Sequence, residues 1–379
     1  MKVAIIHYWL ISMRGGEKVV KSILKLYPEA DVYTLFYDKN NLKRYFEKHA
    51  VYSSILDNRL FRKHYQKLFP LYPSGIKSLK LRHNYDLIIS SESGPAKGIS
   101  IEGHASHICY THTPMRYCWG FTDEYLKVLP RVLRPVAKFS FKKLRNWDLT
   151  TINNVDYYIA NSNNVKKRIK MYYHKDSKII YPPIDLSLFD DGFTVKSVQK
   201  RNYYLSFGAL VPYKNITLLV DTFNQSGKKL VIIGDGSERK KLEKKSNNNI
   251  LFTGSLPWEK IKHHIIGAKA LLFPGEEDFG MIPLEVMAYG LPVIALGKGG
   301  ALETVIENKI KRHKSSGVFF HKKSIKSLVS AINEFEDVID KFDSRWIINH
   351  ARKFGEDIFM DKFSKEVERI MKQIGRAHV

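Results

Sequence analysis

Cysteine is almost absent: the chain has two, Cys109 and Cys118. Two thiols at that spacing make no disulfide framework, zinc site or redox motif, so a reducing cytoplasm is expected. No apolar run approaches the roughly 20 residues that a bilayer-spanning helix needs. The opening MKVAIIHYWL passes directly into patterned sequence without a cleavage site and is read as a first strand, not a signal peptide. Neither a short-period repeat nor a low-complexity tract is visible, which sets aside solenoids and disordered scaffolds. Acidic residues are also scarce: 38 Asp and Glu stand against 62 Lys and Arg, a formal net charge of +24. Such a surface calls for a polyanionic neighbour, whether nucleic acid, an anionic membrane or a phosphorylated substrate. No Asp-x-Asp strand end or His/Cys cluster offers a metal site.

What the chain does have is alternation. KVAIIHYWL, ADVYTLFY, YDLIISSES, HICYTHTP and VDYYIANS are short apolar runs separated by helical patterns, as in a parallel sheet buried on both faces. The alternation restarts with NYYLSFGAL, KKLVIIGDG, NILFTGSL, AKALLFPG and LPVIALGKG. With 379 residues there is room for two cores. The expected fold class is therefore α/β, two Rossmann-like, doubly wound domains in tandem. Their expected spans are 1–190 and 200–342, with a polar linker from about Leu186 to Arg201. A helical segment, 343–379, is expected to pack back toward the first domain.

The stretch from Gly275 to Gly300, GEEDFGMIPLEVMAYGLPVIALGKGG, carries the densest chemistry. Glu277 and Glu285 stand on either side of the turn Phe279-Gly280 and of Pro283. Ligands of open α/β sheets bind beyond the carboxyl ends of the strands, where helix N-termini offer N–H groups to phosphates. Pro283 suits a first helical turn, which puts Glu285 near the third helical position. The run EDFGMIPLE, continuing AYGLPVIAL and GG, resembles the donor-site signature of family 4 retaining glycosyltransferases, and the resemblance covers most of the chain. It implies the GT-B fold, with two Rossmann-like domains facing a cleft. It is nearest to bacterial mannosyltransferase-like members that build lipopolysaccharide or other surface polysaccharides.

On that resemblance, Glu277 would accept hydrogen bonds from hydroxyls of the donor sugar and Glu285 from the ribose, since a carboxylate is acceptor-only and holds two adjacent hydroxyls. Backbone N–H groups around Phe279 and Gly280, beside Met281, would reach the sugar. In SFGALVPYKN, Lys214 matches the family lysine that neutralises the donor diphosphate as the nucleotide leaves. Family members carry an arginine where this chain has Ala209, so another basic residue or backbone N–H groups must complete the clamp. Gly15 and Gly16, in SMRGGEKVV, resemble the glycine turn beneath the donor phosphates, and Arg14 would add charge there. In CYTHTPMRY, His112 resembles the family histidine that hydrogen-bonds the donor sugar near the reacting carbon. Gly234 and Gly236 of IIGDGSERKKLE are expected beside the nucleotide.

The implied reaction is retaining transfer of a hexose, mannose from GDP-mannose, to a glycan or lipid-linked acceptor, with Glu277, His112 and Lys214 as the catalytic group. The departing phosphate itself would deprotonate the acceptor, leaving positioning and charge stabilisation to the protein. No cofactor and no metal ion is implied. A UDP-sugar donor stays open, as does a non-catalytic polyanion binder, although no recognition module for nucleic acid is present and no nucleic-acid partner is expected. A glycosidase would also use two carboxylates but would not need the lysine and glycine loops. Two basic-aromatic stretches, RLFRKHYQKLFPLYPSGIKSLK and LKVLPRVLRPVAKFSFKKLR, read as interfacial segments on anionic lipid. The protein is accordingly expected on the inner face of the cytoplasmic membrane, as a peripheral protein.

Overall fold

In the first sheet every residue of β1 (Val3–His7), β4 (Leu87–Glu92) and β5 (Ser106–Thr111) is buried, as parallel strands covered on both faces require. Side chains alternate between the faces: Ile5, Leu87 and Ile89 join one core cluster, while Ala4, Ile6 and Ile88 join another. The computed structural model describes residues 1–185, 187 and 202–377, so the expected linker lies outside the described residues apart from Ser187. The remaining strands of this sheet are β2 (Asp31–Thr34), β3 (Val51–Ser53), β6 (Tyr157–Ala160) and β7 (Ser177–Ile179). They align in parallel as β3-β2-β1-β4-β5-β6-β7. The second sheet holds β8 (Tyr203–Phe207), β9 (Leu230–Ile233), β10 (Ile250–Gly254), β11 (Ala268–Phe273), β12 (Val293–Leu296) and β13 (Gly317–Phe320). Its order is β10-β9-β8-β11-β12-β13. In each sheet the chain starts centrally, runs to one edge and returns on the other side. The direction reverses between β1 and β4, and between β8 and β11. Those two points are where doubly wound sheets open a crevice.

Two compact units result: Met1–Pro183 with Asp357–Val379, and Ile184–Glu356. The boundary expected at 342 lies instead at 356. Helix Ser344–Arg352 stays with the second unit. A Cβ on Gly290 would lie 2.9 Å from the Ser344 Cβ, His350 Nε2 donates to the Thr304 carbonyl at 2.8 Å, and the Phe354 and Phe279 rings lie 5.9 Å apart. From Asp357 onward, helix Glu356–Ala377 belongs to the first unit, where Phe359, Phe363, Val367 and Ile370 enter the core beside Tyr110. At about 1.5–3 kcal/mol for each buried side chain, these four residues suffice to hold the helix on the first sheet. An amphipathic stripe does not reveal which sheet it covers, so the two helices look alike in sequence.

Candidate active site

In the second unit the crevice opens at the reversal point. It is lined by the loop after β8 (Ser206 to Leu210), by Lys214 and by the end of β11 at Phe273 and Gly275. The β8 loop is held tightly from behind. Gly208 donates its N–H to the Ile233 carbonyl, and Leu210 donates to the Asp235 carbonyl, both at 2.9 Å. A Cβ on Gly234 would fall 1.9 Å from the Gly208 oxygen, and one on Gly236 would fall 2.3 Å from the Leu210 oxygen. Both glycines therefore sit directly against the backbone of the lining loop. Ala209 lies on that lining, and Lys214 is the one cationic side chain among the lining residues described.

Lys214 closes a short turn, Pro212–Lys214, and the next residue, Asn215, takes a left-handed conformation (φ 55°) at the start of helix Ile216–Ser226. Its ammonium lies 2.5 Å from Glu277 Oε1, with 17% and 14% of the two side chains exposed. The Tyr213 and Phe273 rings stand 5.7 and 5.8 Å from the nitrogen. The carboxylate expected at the sugar and the cation expected at the diphosphate are thus brought into direct contact. Glu277 is fixed through its backbone, whose carbonyl accepts the Gly300 N–H at 2.8 Å. A Cβ on Gly299 would lie 2.4 Å from that same oxygen, and one on Gly300 would lie 2.2 Å from the Phe279 Cα. The Gly299-Gly300 pair is what lets the Glu277–Phe279 loop settle there.

Helix Met281–Met287 begins at Met281, with Gly280 left-handed (φ 87°) as its cap. Glu285 is therefore the fifth helical residue and not the third, because the glycine turns the chain into the helix two residues early. Pro283 remains in the first turn. Glu285 is buried, and the Phe279 side chain points into the core toward Phe354.

In the first unit, His112 directly follows β5 and is brought beside the glycine turn. A Cβ on Gly16 would lie 3.5 Å from His112 Nε2, 3.2 Å from His7 Cε1 and 2.9 Å from the Tyr8 hydroxyl. Gly15 and Gly16 open helix Gly15–Leu26, whose Glu17 accepts the Arg14 N–H at 3.1 Å. Ser91 Oγ lies 3.0 Å from His7 Nδ1 and 2.8 Å from His112 Nε2. Burial, with His7 nearby, pushes the His112 imidazole down to about 3, so at neutral pH it acts as a neutral hydrogen-bonding group and not as an acid. His7, Glu17 and Ser91 were missed in sequence. The one available signal was an acidic residue in the first turn of the helix after the Gly-Gly pair. Behind them, fully buried Lys97 pairs with Asp148, which also accepts from Trp119 Nε1 at 2.7 Å and from the Tyr173 hydroxyl at 2.9 Å. Among the described residues no three His, Cys, Asp or Glu side chains gather as a metal cage, and no helix is long and apolar enough to cross a membrane.

Two family models cover most of the chain: "Glycosyltransferase Family 4" over residues 13–188 and "Glycosyl transferases group 1" over 191–353. The chain is 23% identical over 326 residues to alpha-1,3/1,6-mannosyltransferase ALG2 of Saccharomyces cerevisiae, covering 70% of this chain and 63% of that protein. It therefore spans about three-fifths of the length of the first curated relatives it matches. It is 24% identical over 344 residues to O-antigen chain mannosyltransferase C of Escherichia coli, covering 86% and 84% of the two chains. Among solved structures it is similar to Anabaena Alr3699/HepE in complex with UDP, with a TM-score of 0.71, 17% identity, and coverage of 97% and 100%. Two reversal-point sites on two parallel sheets, matched along their length by these models, show that the chain belongs to glycosyltransferase family 4 and has the GT-B fold.

Proposed function

We propose that the protein is a retaining hexosyltransferase that moves mannose from GDP-mannose to a glycan or lipid-linked acceptor in lipopolysaccharide or other surface-polysaccharide assembly. The observation that carries this reading is the 2.5 Å contact between Glu277 and Lys214, the cation lining the crevice between β8 and β11. A lysine there supplies positive charge where a leaving diphosphate accumulates negative charge, and the neighbouring carboxylate accepts sugar hydroxyls. Glu285, Gly280 and Met281 complete the donor side; for His112, in the first unit, the family resemblance is what supports a role as a neutral hydrogen-bonding group for the donor sugar. The mannosyltransferase names of two relatives support the choice of sugar.

A UDP-sugar donor is the second reading, favoured by the UDP in the similar Anabaena structure. Thermal-shift measurements with GDP, UDP, GDP-mannose and UDP-glucose separate the two, because a ligand selective for the folded state raises its melting temperature. GDP-mannose should give the largest shift, and radiolabelled mannose should then pass to a lipid-linked acceptor. A shift with uridine nucleotides alone would overturn the guanine assignment. With Lys214 supplying the charge, turnover is expected to survive EDTA.

A further inference from the structure

We propose that Glu17, His7 and Ser91 form a positioning chain that sets the tautomer of His112, keeping its Nδ1 as a lone-pair acceptor for a sugar hydroxyl. This rests on the reading of His112 as a donor-sugar contact. The four residues come from separate elements that meet at the reversal point of the first sheet. His7 ends β1, Ser91 lies near the end of β4, Glu17 is in the first turn of helix Gly15–Leu26, and His112 follows β5. His7 and Ser91 are wholly buried and Glu17 almost so.

Ser91 Oγ stands between two imidazole nitrogens, His7 Nδ1 at 3.0 Å and His112 Nε2 at 2.8 Å. A hydroxyl has one proton, so it donates to one ring and accepts from the other. The tautomers of the two rings are thereby coupled: a bare Nδ1 on His7 requires a proton on His112 Nε2. Glu17 decides which arrangement holds. Its Oε1 lies 3.9 Å from His7 Nε2, too far for a hydrogen bond but close for electrostatics in a buried site. His7 Nε2 has no hydrogen-bond partner among the described residues, so that carboxylate is the group facing it. A lone pair there would be repelled, whereas an N–H is attracted. Glu17 is held in place by the Arg14 N–H at 3.1 Å.

His7 thus carries its proton on Nε2, Ser91 donates to His7 Nδ1, and His112 Nε2–H donates to Ser91. His112 Nδ1 is left as an acceptor. Because the His112 ring is neutral, the chain governs the position of its proton and not its charge. Gly16 closes the arrangement, since any Cβ there would press on Tyr8 and His7.

The test is long-range proton–nitrogen NMR on the full chain carrying nitrogen-15 histidine, with signals assigned from His7→Asn and His112→Ala spectra. Both rings should show protonated Nε2 and bare Nδ1. Glu17→Gln keeps an acceptor for Arg14 but removes the charge, and both rings should then shift together toward the other tautomer. In kinetics, Ser91→Ala should lower kcat about 10- to 100-fold, the usual cost of losing an orienting partner of a working imidazole. Nucleotide affinity should hold, and no further loss should appear in a His112→Ala background. A protonated Nδ1 on His112, a response of His7 alone, or losses that multiply in the double variant would each overturn the chain. Full turnover in His112→Ala would instead overturn the reading of His112 itself, a result the tautomer spectrum does not depend on.

Discussion

Lys214 and Glu277 form an ion pair, and each is expected to turn to the donor when it binds. Replacing Lys214 by Ala removes a charged hydrogen-bond donor worth about 1.5–3 kcal/mol. Affinity for a nucleoside diphosphate should fall roughly 10- to 100-fold, while affinity for the nucleoside stays near its original value. Calorimetry with both ligands checks this, and equal losses would mean that Lys214 acts through the fold. Glu277→Gln should abolish transfer and leave nucleotide affinity nearly intact. A different prediction attaches to Glu92, at the end of β4 behind His112, whose N–H it binds through its carbonyl at 2.7 Å. Desolvation raises its carboxyl from 4.5 to about 7; Lys97 pulls it down and Asp148 pushes it up. The folded state therefore holds this proton more tightly than the unfolded chain does. The corresponding stability is complete below about pH 4.5 and is lost as pH rises to about 7, on the order of 3 kcal/mol. Glu92→Gln, which stays neutral, should flatten the stability profile across that window in denaturant titrations. An unchanged slope would place the proton elsewhere.

At the scale of elements, the long central strands were legible because both of their faces are apolar. β3 and β13 were not: both lie at a sheet edge, and β3 is only three residues long and largely uncovered. The E-x7-E run was visible as a motif, yet the helix start at Met281 depends on the left-handed Gly280, a backbone angle that residue types do not report. The chain of His7, Ser91 and His112 was hidden for a further reason, since it joins three strands that are neighbours only in the sheet. Glycines illustrate the same limit, because one residue type meets two separate demands. Gly300 has an ordinary φ of −66° but almost touches the Phe279 backbone, whereas Gly227 has a φ of 67° and open space around it. Gly300→Ala should displace the Glu277–Phe279 loop and remove most turnover. Gly227→Ala should cost about 1–2 kcal/mol of stability and leave kcat unchanged. Melting curves read beside kinetics would separate the two, and loss of activity in Gly227→Ala would refute the distinction.

For the whole molecule, a net charge of +24 has to be placed, and the two basic-aromatic stretches expected at a membrane turn out to differ. In the first, Phe61, Tyr65, Leu68 and Phe69 pack on the core beside buried Tyr72 and Ile76, so its aromatic side faces inward. The second keeps apolar groups outside: Val132 is 82% exposed, Val136 65% and Phe139 58%. Lys138, Lys142 and Lys143 are exposed around them, with the Lys143 ammonium 4.8 Å from the Phe139 ring centre. Arg145 does not belong to this face, because its Nε donates to the Cys118 carbonyl at 2.8 Å and its guanidinium lies over Trp119. Apolar side chains ringed by lysines suit the boundary of an anionic bilayer, each surface cation contributing about 1 kcal/mol. A lipid-linked acceptor would be met at that boundary. The protein should therefore co-sediment with vesicles containing phosphatidylglycerol at low salt, release as salt is raised, and bind neutral vesicles weakly. Replacing Lys138, Lys142 and Lys143 together by Gln should remove most of the salt-dependent part, whereas Val136→Ser with Phe139→Ser should weaken what remains at high salt. Neither change should alter nucleotide affinity. Arg145→Gln should lower the melting temperature instead, with little effect on vesicle binding. If the wild type stays in the supernatant with anionic vesicles at low salt, the charge serves another polyanion, and the acceptor must reach the enzyme without the bilayer.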